Sequence, residues 1–215
     1  MPDFPPLLRG VAADDPRAAA VAAARAGCDG GTIFWRAGDA LEAAVVFAPD
    51  VPLDRAMQML PLCAVALRDA LGAIGPSELP VHLAWDGRLL VNGGGAGRVT
   101  PVAEARGTDA VPDWLLVHVT LQFLPSGATE TALWQEGCGE VTADALLESW
   151  ARHLMHRLAE WEDDPRALHA EREAAAWEVE AKDATYLGLD ERFGRLRRAG
   201  GATRLDPLTD LLELP

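Results

Sequence analysis

Lysine is almost absent from this sequence, since Lys182 is the only one among 215 residues. Arginine therefore supplies nearly all of the positive side-chain charge. The 33 acidic residues outnumber the 19 basic ones, and the formal net charge is −14. Because binding to nucleic-acid phosphates needs clustered basic side chains, this acidic composition argues against a nucleic-acid partner.

Cysteine is scarce, and long apolar runs are missing. Cys28, Cys63 and Cys138 lie far apart, which favours reduced thiols and excludes a CxxC metal site. The five histidines show no metal-ligand spacing either. Neither an N-terminal signal pattern nor a run of about 18 apolar residues is present, so secretion and membrane spanning are not indicated. We expect a cytoplasmic protein without a metal site.

Three segments carry helix signals. Residues 14–16, Asp-Asp-Pro, supply a cap for an alanine-rich helix that ends near Gly27. Residues 54–71 place apolar side chains on one face, and Pro61 predicts a kink or two shorter helices in series. Residues 142–162 form the best helical pattern in the chain. The Asp-Asp-Pro sequence at 163–165 then breaks this helix and caps a shorter one.

Alternating segments indicate strands. In residues 114–123 one face is apolar, while the other carries His118, Thr120 and Gln122 and can face a ligand pocket. After Ala176 short runs at 177–181, 185–189, 193–196 and 203–205 are typical of a small SH3-like barrel. We therefore predict an α/β (α+β) fold with a mixed, largely antiparallel sheet packed with helices. Residues 1–165 form the main domain, and residues 166–215 form a short helix and the small β-barrel.

The stretch from 82 to 99 carries the most informative motif. A strand ends in Trp85, a tight turn follows, and a second strand ends at Asn92-Gly93 before the run Gly93-Gly94-Gly95-Ala96-Gly97. This stretch resembles the biotin/lipoate protein ligase family. There a Trp-Pro-Asn-Asp turn leads through a strand ending in Asn-Gly to a Lys-x-Ala-Gly element. The lysine position falls on or beside Gly94, and the turn has become Asp-Gly-Arg at 86–88.

Other segments resemble the family in the same order. Residues 31–35 and 41–47 look like the two early strands that flank the family's ligand loop. Later segments look like a long helix, a central strand, a closing helix and a C-terminal hairpin, at 54–71, 114–123, 142–162 and 188–196.

The resemblance implies a defined chemistry. Ligases of the family activate biotin or lipoate with ATP to an acyl-adenylate and transfer the acyl group to a lysine of a carrier domain. They place two cationic elements at the phosphate, an arginine/glycine loop and the lysine beside Ala-Gly. The candidate loop here, residues 26–31, carries Asp29, a carboxylate that would repel a phosphate. With the lysine also missing, we expect no standard adenylation.

Three features allow two interpretations each. Arg88 and Arg98 either replace the missing cations or are solvated charges at strand ends. Cys138 is either a nucleophile, as in octanoyl transferases of the superfamily, or a structural thiol whose neighbouring acids raise its pKa. The glycine run is either a wide hairpin turn or a place where backbone N–H groups meet a ligand carboxylate or phosphate.

If a carboxylate ligand binds, we expect it between two tryptophans, the glycine run and the polar face of residues 114–123. Aromatic walls would cover the acyl chain, and an arginine would meet the carboxylate. The candidate ligand-binding residues are Trp35, Trp85, Arg88, Asn92, Gly93, Gly94, Gly95, Gly97, Arg98 and His118.

Three functions fit the sequence. The first is a ligase-like protein that binds a small carboxylic acid, an acyl group or a carrier domain without adenylation. Biotin, lipoate or an acyl-adenylate would be the ligand. The second is an active biotin, lipoyl or octanoyl ligase or acyl transferase that uses other residues. The third is an interaction module without a small ligand, whose −14 charge selects a basic partner. A homodimer is compatible with each.

Overall fold

A computed structural model describes residues 2–104, 107–176 and 183–215. Its main sheet has seven strands, namely β1 (Arg9–Ala12), β2 (Thr32–Ala37), β3 (Ala40–Phe47), β4 (Val81–Leu83), β5 (Arg88–Val91), β6 (Gly94–Val102) and β7 (Leu115–Gln122). The strands lie in the order β1-β2-β3-β7-β6-β5-β4. Among the described strands of this sheet, only β1 and β2 pair in parallel. The mixed, largely antiparallel sheet predicted from the sequence is therefore confirmed.

Helices cover both faces of this sheet. The helices are α1 (Pro16–Arg25), α2 (Leu53–Ala56), α3 (Met59–Ile74), α4 (Ala143–Asp163) and α5 (Pro165–Ala174). Helices α3 and α4 pack on one face and enclose the main hydrophobic core. Helix α1 packs on part of the other face over a smaller core that includes Phe34, Val46 and Leu116. The remainder of that second face, here called the open face, positions the candidate site.

Side-chain caps set the helix ends. Asp15 accepts a hydrogen bond from the Ala18 amide at 2.9 Å at the start of α1. Thr142 caps α4 in the same way through the Ala145 amide at 3.2 Å. Asp164 both ends α4 and caps α5. Each cap satisfies an amide that has no partner inside the helix, so all three predicted boundaries are confirmed.

The break in the helix predicted at 54–71 lies before Pro61. Helix α2 ends at Ala56, and α3 begins at Met59. Pro61 lies in the first turn of α3, where amides have no intrahelical acceptor and proline is tolerated. The two helices in series are confirmed, but Pro61 does not interrupt either of them.

The C-terminal region is a small antiparallel sheet. Its strands are β8 (Tyr186–Leu189), β9 (Arg195–Ala199) and β10 (Ala202–Asp206), and a 3-10 helix follows at Leu208–Leu211. In the described residues these three strands, in the order β10-β9-β8, do not close, so the predicted SH3-like barrel is not confirmed. The strand expected at 177–181 lies outside the described residues. The division at residues 165 and 166 stays a prediction.

One described stretch, Leu53–Ile74, is long and apolar enough to span a membrane by length and composition, with a mean hydropathy of 1.3. In this fold 72% of its most apolar 18-residue window is buried. Its side chains form the centre of the core between the sheet and α4. Packing inside the domain thus accounts for its apolar character.

Candidate functional site

The two faces of the sheet carry different chemistry. Trp35 lies in register with Ala43, which pairs with Val119, and these side chains belong to the core beneath α3 and α4. Their strand neighbours Arg36 and Glu42 therefore point to the opposite, open face, because successive side chains of a strand alternate.

A polar row crosses five strands of the open face. Its members are paired in register from one strand to the next, in the order Arg36, Glu42, Thr120, Arg98 and Arg88. Arg36 forms an ion pair with Glu42. Neither Arg36 nor Glu42 was among the predicted site residues, although the alternation Leu-Glu-Ala at 41–43 signals an outward carboxylate.

A cleft of about 580 Å³ opens at the Arg98 end of this row. Its lining combines the strand residues Arg88, Gly95, Gly97, Arg98 and Thr120 with the loop 127–130. Four of the predicted ligand-binding residues, Arg88, Gly95, Gly97 and Arg98, therefore meet in one cleft. Among the described residues its lining is polar and contains no aromatic ring.

The two arginines share one carboxylate. Arg88 Nε lies 2.9 Å from Asp86 Oδ2, and Arg98 Nη2 lies 3.9 Å from the same oxygen. Arg98 also donates to the Asp86 carbonyl at 3.0 Å. Because two guanidinium groups face the single carboxylate of Asp86, the Arg88–Asp86–Arg98 cluster carries an excess positive charge, which the Glu130 carboxylate in the same cleft lining offsets. Both arginine side chains are nearly half exposed, at 42% and 49%, so this charge is available to an anion.

The glycine run forms strand rather than a wide turn. Asn92 and Gly93, with φ of 48° and 85°, make a two-residue hairpin between β5 and β6. Residues 94–97 belong to β6, which is bulged opposite Leu89 and Leu90. At Gly97 a Cβ would lie 2.3 Å from the Thr120 carbonyl oxygen. Close approach of β6 to β7 therefore requires this glycine.

Residues of the following loop cover Gly94 and Gly95. A Cβ at position 94 would lie 3.0 Å from Thr131 Cγ2, so the space above Gly94 is filled. The Gly95 amide donates to Glu130 Oε2 at 2.8 Å. Asn92 donates to Glu136 at 2.7 Å, and hydrogen bonds from Thr131 and Asn92 lower the pKa of that carboxyl. Glu130, Thr131 and Glu136 were not predicted, because no local signal links them to a glycine run over 30 residues earlier.

The two predicted aromatic walls lie elsewhere. Trp35 is on the core face of the sheet, opposite the cleft, and its Nε1 has no hydrogen-bond partner among the described residues. Trp85 is 8% exposed and lies under the C-terminal sheet. Its Nε1 donates to the Phe193 carbonyl at 2.9 Å, and the Arg195 guanidinium lies 4.4 Å from its ring. Neither tryptophan lines the cleft, so the structure does not bring the two predicted aromatic walls together with Arg88, Gly95 and Arg98.

His118 lies on the polar side of β7, as predicted, but outside the cleft lining. It pairs with Ala44 and Thr100, one row closer to α1 than Thr120. Burial lowers the pKa of its imidazole. Its Nε2 is buried without a hydrogen-bond partner in the described part of the chain.

The candidate ligand loop at 26–31 is far from the cleft. It connects α1 to β2, and the Gly31 amide bonds to the Val46 carbonyl. Val46 is four residues along β3 from Glu42, about 13 Å away at the usual rise of a strand. The strands that resemble those flanking the family's ligand loop are β2 and β3. They are joined by Gly38 and Asp39 alone.

The cysteines do not form a reactive site. Cys138 is 2% exposed, and burial together with the charge of Glu136 raises the pKa of its thiol. Cys63 is fully buried in the core. Among the described residues no group of three or more His, Cys, Asp and Glu side chains is arranged to hold a metal ion.

Comparison with protein families places most of the chain in one group. Residues 4–174 match the sequence model of the biotin/lipoate A/B protein ligase family. No functionally curated protein matches the sequence.

Solved structures share this fold over nearly the whole chain. A biotin protein ligase-like protein of unknown function from Silicibacter sp. tm1040 has 42% sequence identity and a TM-score of 0.94, covering 99% of this chain and 100% of that one. Biotin protein ligase from Aquifex aeolicus has 14% identity and a TM-score of 0.71, covering 93% and 95%. The Leishmania major ligase in complex with biotinyl-5-AMP has 14% identity and a TM-score of 0.60, covering 94% and 98%.

Proposed function

Because the chain belongs to the biotin/lipoate A/B protein ligase family, we propose that it binds a small carboxylic acid or acyl group at the open-face cleft without the standard ATP-dependent adenylation. Its ligand keeps its carboxylate or acyl oxygen near Arg88 and Arg98, which line this cleft.

The environment of Gly94 carries this proposal. Sequence resemblance places the lysine of the family's Lys-x-Ala-Gly element on or beside Gly94. A Cβ here would already lie 3.0 Å from Thr131 Cγ2 and 3.2 Å from Thr131 Cβ. The lysine is thus missing, and the Thr131 side chain packs closely against this position. Loss of one cationic or hydrogen-bonding group at a developing charge typically slows a reaction by about 10²–10³.

The short β2–β3 connection supports the same conclusion. Residues Gly38 and Asp39 join the two strands that resemble those flanking the arginine/glycine loop. The Asp39 carbonyl accepts from the Phe123 and Leu124 amides at 2.8 and 2.9 Å. This connection is therefore fixed against the end of β7 and contains no arginine, and the neighbouring Arg36 forms an ion pair with Glu42.

The cleft favours a compact anionic ligand. An arginine fork recognises a carboxylate well, and the excess positive charge of Arg88 and Arg98 provides the attraction. Without an aromatic wall in the described lining, the cleft suits a short acyl chain better than a bulky bicyclic ring. Related ligases have been solved with biotin and ATP and with biotinyl-5-AMP, so these compounds belong in the same screen.

An acyl-carrier domain is the proposed macromolecular partner, since ligation in this family ends on such a domain. The alternative of an active ligase or acyl transferase rests on Arg88 and Arg98 as substitute cations. An acyl transferase with Cys138 as its nucleophile has no support, because Cys138 is buried and the pKa of its thiol is raised.

Isothermal titration calorimetry tests the binding proposal. The full chain is titrated with octanoate, lipoate, biotin, their adenylates and ATP, after thermal-shift screening of the same compounds. We expect at least one free acid to bind and ATP alone to give no heat. Absence of binding by every acid would overturn the proposal and favour the interaction-module alternative.

A further inference from the structure

The backbone of Gly95 is already occupied on both sides by the chain itself. Its N–H donates to Glu130 Oε2 at 2.8 Å. Its carbonyl accepts from the amides of Glu130 and Thr131 at 3.0 and 3.1 Å. Residues 124–131, here called the strap, are thereby tied to the edge of the cleft.

The Glu130 carboxylate lies at the edge of the cleft, where it accepts from a backbone amide. Its only hydrogen bond among the described residues comes from the Gly95 amide, and no arginine in that part of the chain lies within ion-pair distance. Yet it lines the same cleft as Arg88 and Arg98, whose guanidinium groups exceed their one carboxylate partner. A backbone N–H and nearby guanidinium groups are the partners that an organic carboxylate seeks.

The strap has few other attachments. Ser126, Gly127 and Ala128 are exposed, and Gly127 has φ of 75°. Beyond Gly95, Thr131 is held by a hydrogen bond to Glu136 at the base of the strap. Release of the Glu130 side chain therefore breaks one hydrogen bond and leaves this base in place.

We propose that the Glu130 carboxylate occupies the anion position of the cleft, and that an organic carboxylate binds by displacing it from the Gly95 amide. This inference rests on the proposed function and adds the position of the ligand's carboxylate. The chain thus carries its own competitor, and affinity for an acid depends on how readily Glu130 leaves.

Octanoate and the uncharged octanamide probe this competition in the full chain. The variants are Glu130→Ala, which frees the Gly95 amide, and Glu130→Gln, which keeps an acceptor but removes the charge. Glu140→Ala, at an exposed acid outside the strap, is the control. Calorimetry should show octanoate binding Glu130→Ala about tenfold more tightly than the parent or the control, the value of one hydrogen bond to a charged group. The octanoate affinity of Glu130→Gln should lie between those of Glu130→Ala and the parent. Octanamide should bind the parent and all variants with equal affinity.

Hydrogen–deuterium exchange supplies a second readout. Saturating octanoate should slow exchange of the Gly95 amide more in Glu130→Ala, where no carboxylate covers it, than in the parent, where Glu130 already accepts from it. Equal octanoate affinity in the parent and Glu130→Ala, or no octanoate binding by Glu130→Ala, would overturn the inference. If the parent binds no acid while Glu130→Ala binds octanoate, the inference holds and the proposed function fails. If the parent and Glu130→Ala bind octanoate equally, the proposed function holds and the inference fails.

Discussion

The indole of Trp85 donates its Nε1–H to the backbone carbonyl of Phe193 at 2.9 Å, which joins the turn after β4 to the loop between β8 and β9. Phe193 is 2% exposed, and the Arg195 guanidinium lies over the Trp85 ring, 4.4 Å from its centroid. A tryptophan expected in the ligand pocket is instead the anchor of the C-terminal sheet.

Trp85→Phe should lower the free energy of unfolding by about 1 kcal/mol, because a buried carbonyl at Phe193 loses its donor. Urea unfolding followed by circular dichroism measures this. Trp134→Phe is the matched control, since Trp134 is 62% exposed and should tolerate the change. Equal stability of Trp85→Phe and the parent would show that the hydrogen bond does not anchor the sheet.

Gly97→Ala should destabilise the protein by about 1–3 kcal/mol, the usual cost of forcing atoms into a packed site. The new Cβ would lie 2.3 Å from the Thr120 carbonyl oxygen and would push β6 away from β7. At Gly95 a Cβ would lie 3.4 Å from Glu130 Oε2, a flexible side-chain end, so Gly95→Ala should cost much less. Thermal unfolding of both variants measures this difference in stability. Similar losses of stability in Gly97→Ala and Gly95→Ala would contradict the prediction.

Asp206 should make stability depend on pH. Hydrogen bonds from Arg197 and Arg195 lower the pKa of its carboxyl from 3.8 to about 2. Because the folded value is lower than the unfolded one, its contribution is present above about pH 4 and is lost as pH falls toward 2.

Asp206→Asn should therefore be less stable than the parent at pH 6, by about 1 kcal/mol, and the gap should close between pH 4 and pH 2. Urea titrations across this range measure the difference. The exposed Asp210→Asn is the control. A gap that stays constant with pH would show that charge at Asp206 is not its cause.

Arg98→Ala should weaken octanoate binding about tenfold, the value of one charge-assisted hydrogen bond. Calorimetry at low and high salt checks this, and the loss should shrink at high salt because the arginine is 49% exposed. Arg152→Ala removes the same charge on α4 and should have no effect. Equal weakening in both variants would point to net charge instead of the cleft.

Local signals predicted the elements well. The capping residues Asp15, Thr142 and Asp164 directly precede their own helices, and the amides that they cap are three residues away or fewer. The polar side of β7 followed from alternation alone. These predictions needed no knowledge of which elements pack together.

The pocket was harder to predict, because it depends on contacts between distant segments. Trp35 is one residue from Arg36, and only the packing of α3 and α4 decides which of the two faces the core. Glu130 reaches Gly95 across 35 residues. The alternation of polar and apolar side chains along a strand indicates that the strand has two faces, but it does not indicate which face a helix covers.

Acid-dependent pyrophosphate exchange into ATP tests the central claim most directly, because exchange requires formation of an acyl-adenylate. With biotin, lipoate or octanoate we predict background exchange for the parent and also for Gly94→Lys, since Thr131 fills the space beside position 94. The Aquifex aeolicus ligase serves as the positive control. Exchange by the parent above background that depends on any of the three acids would contradict the account and establish an active ligase.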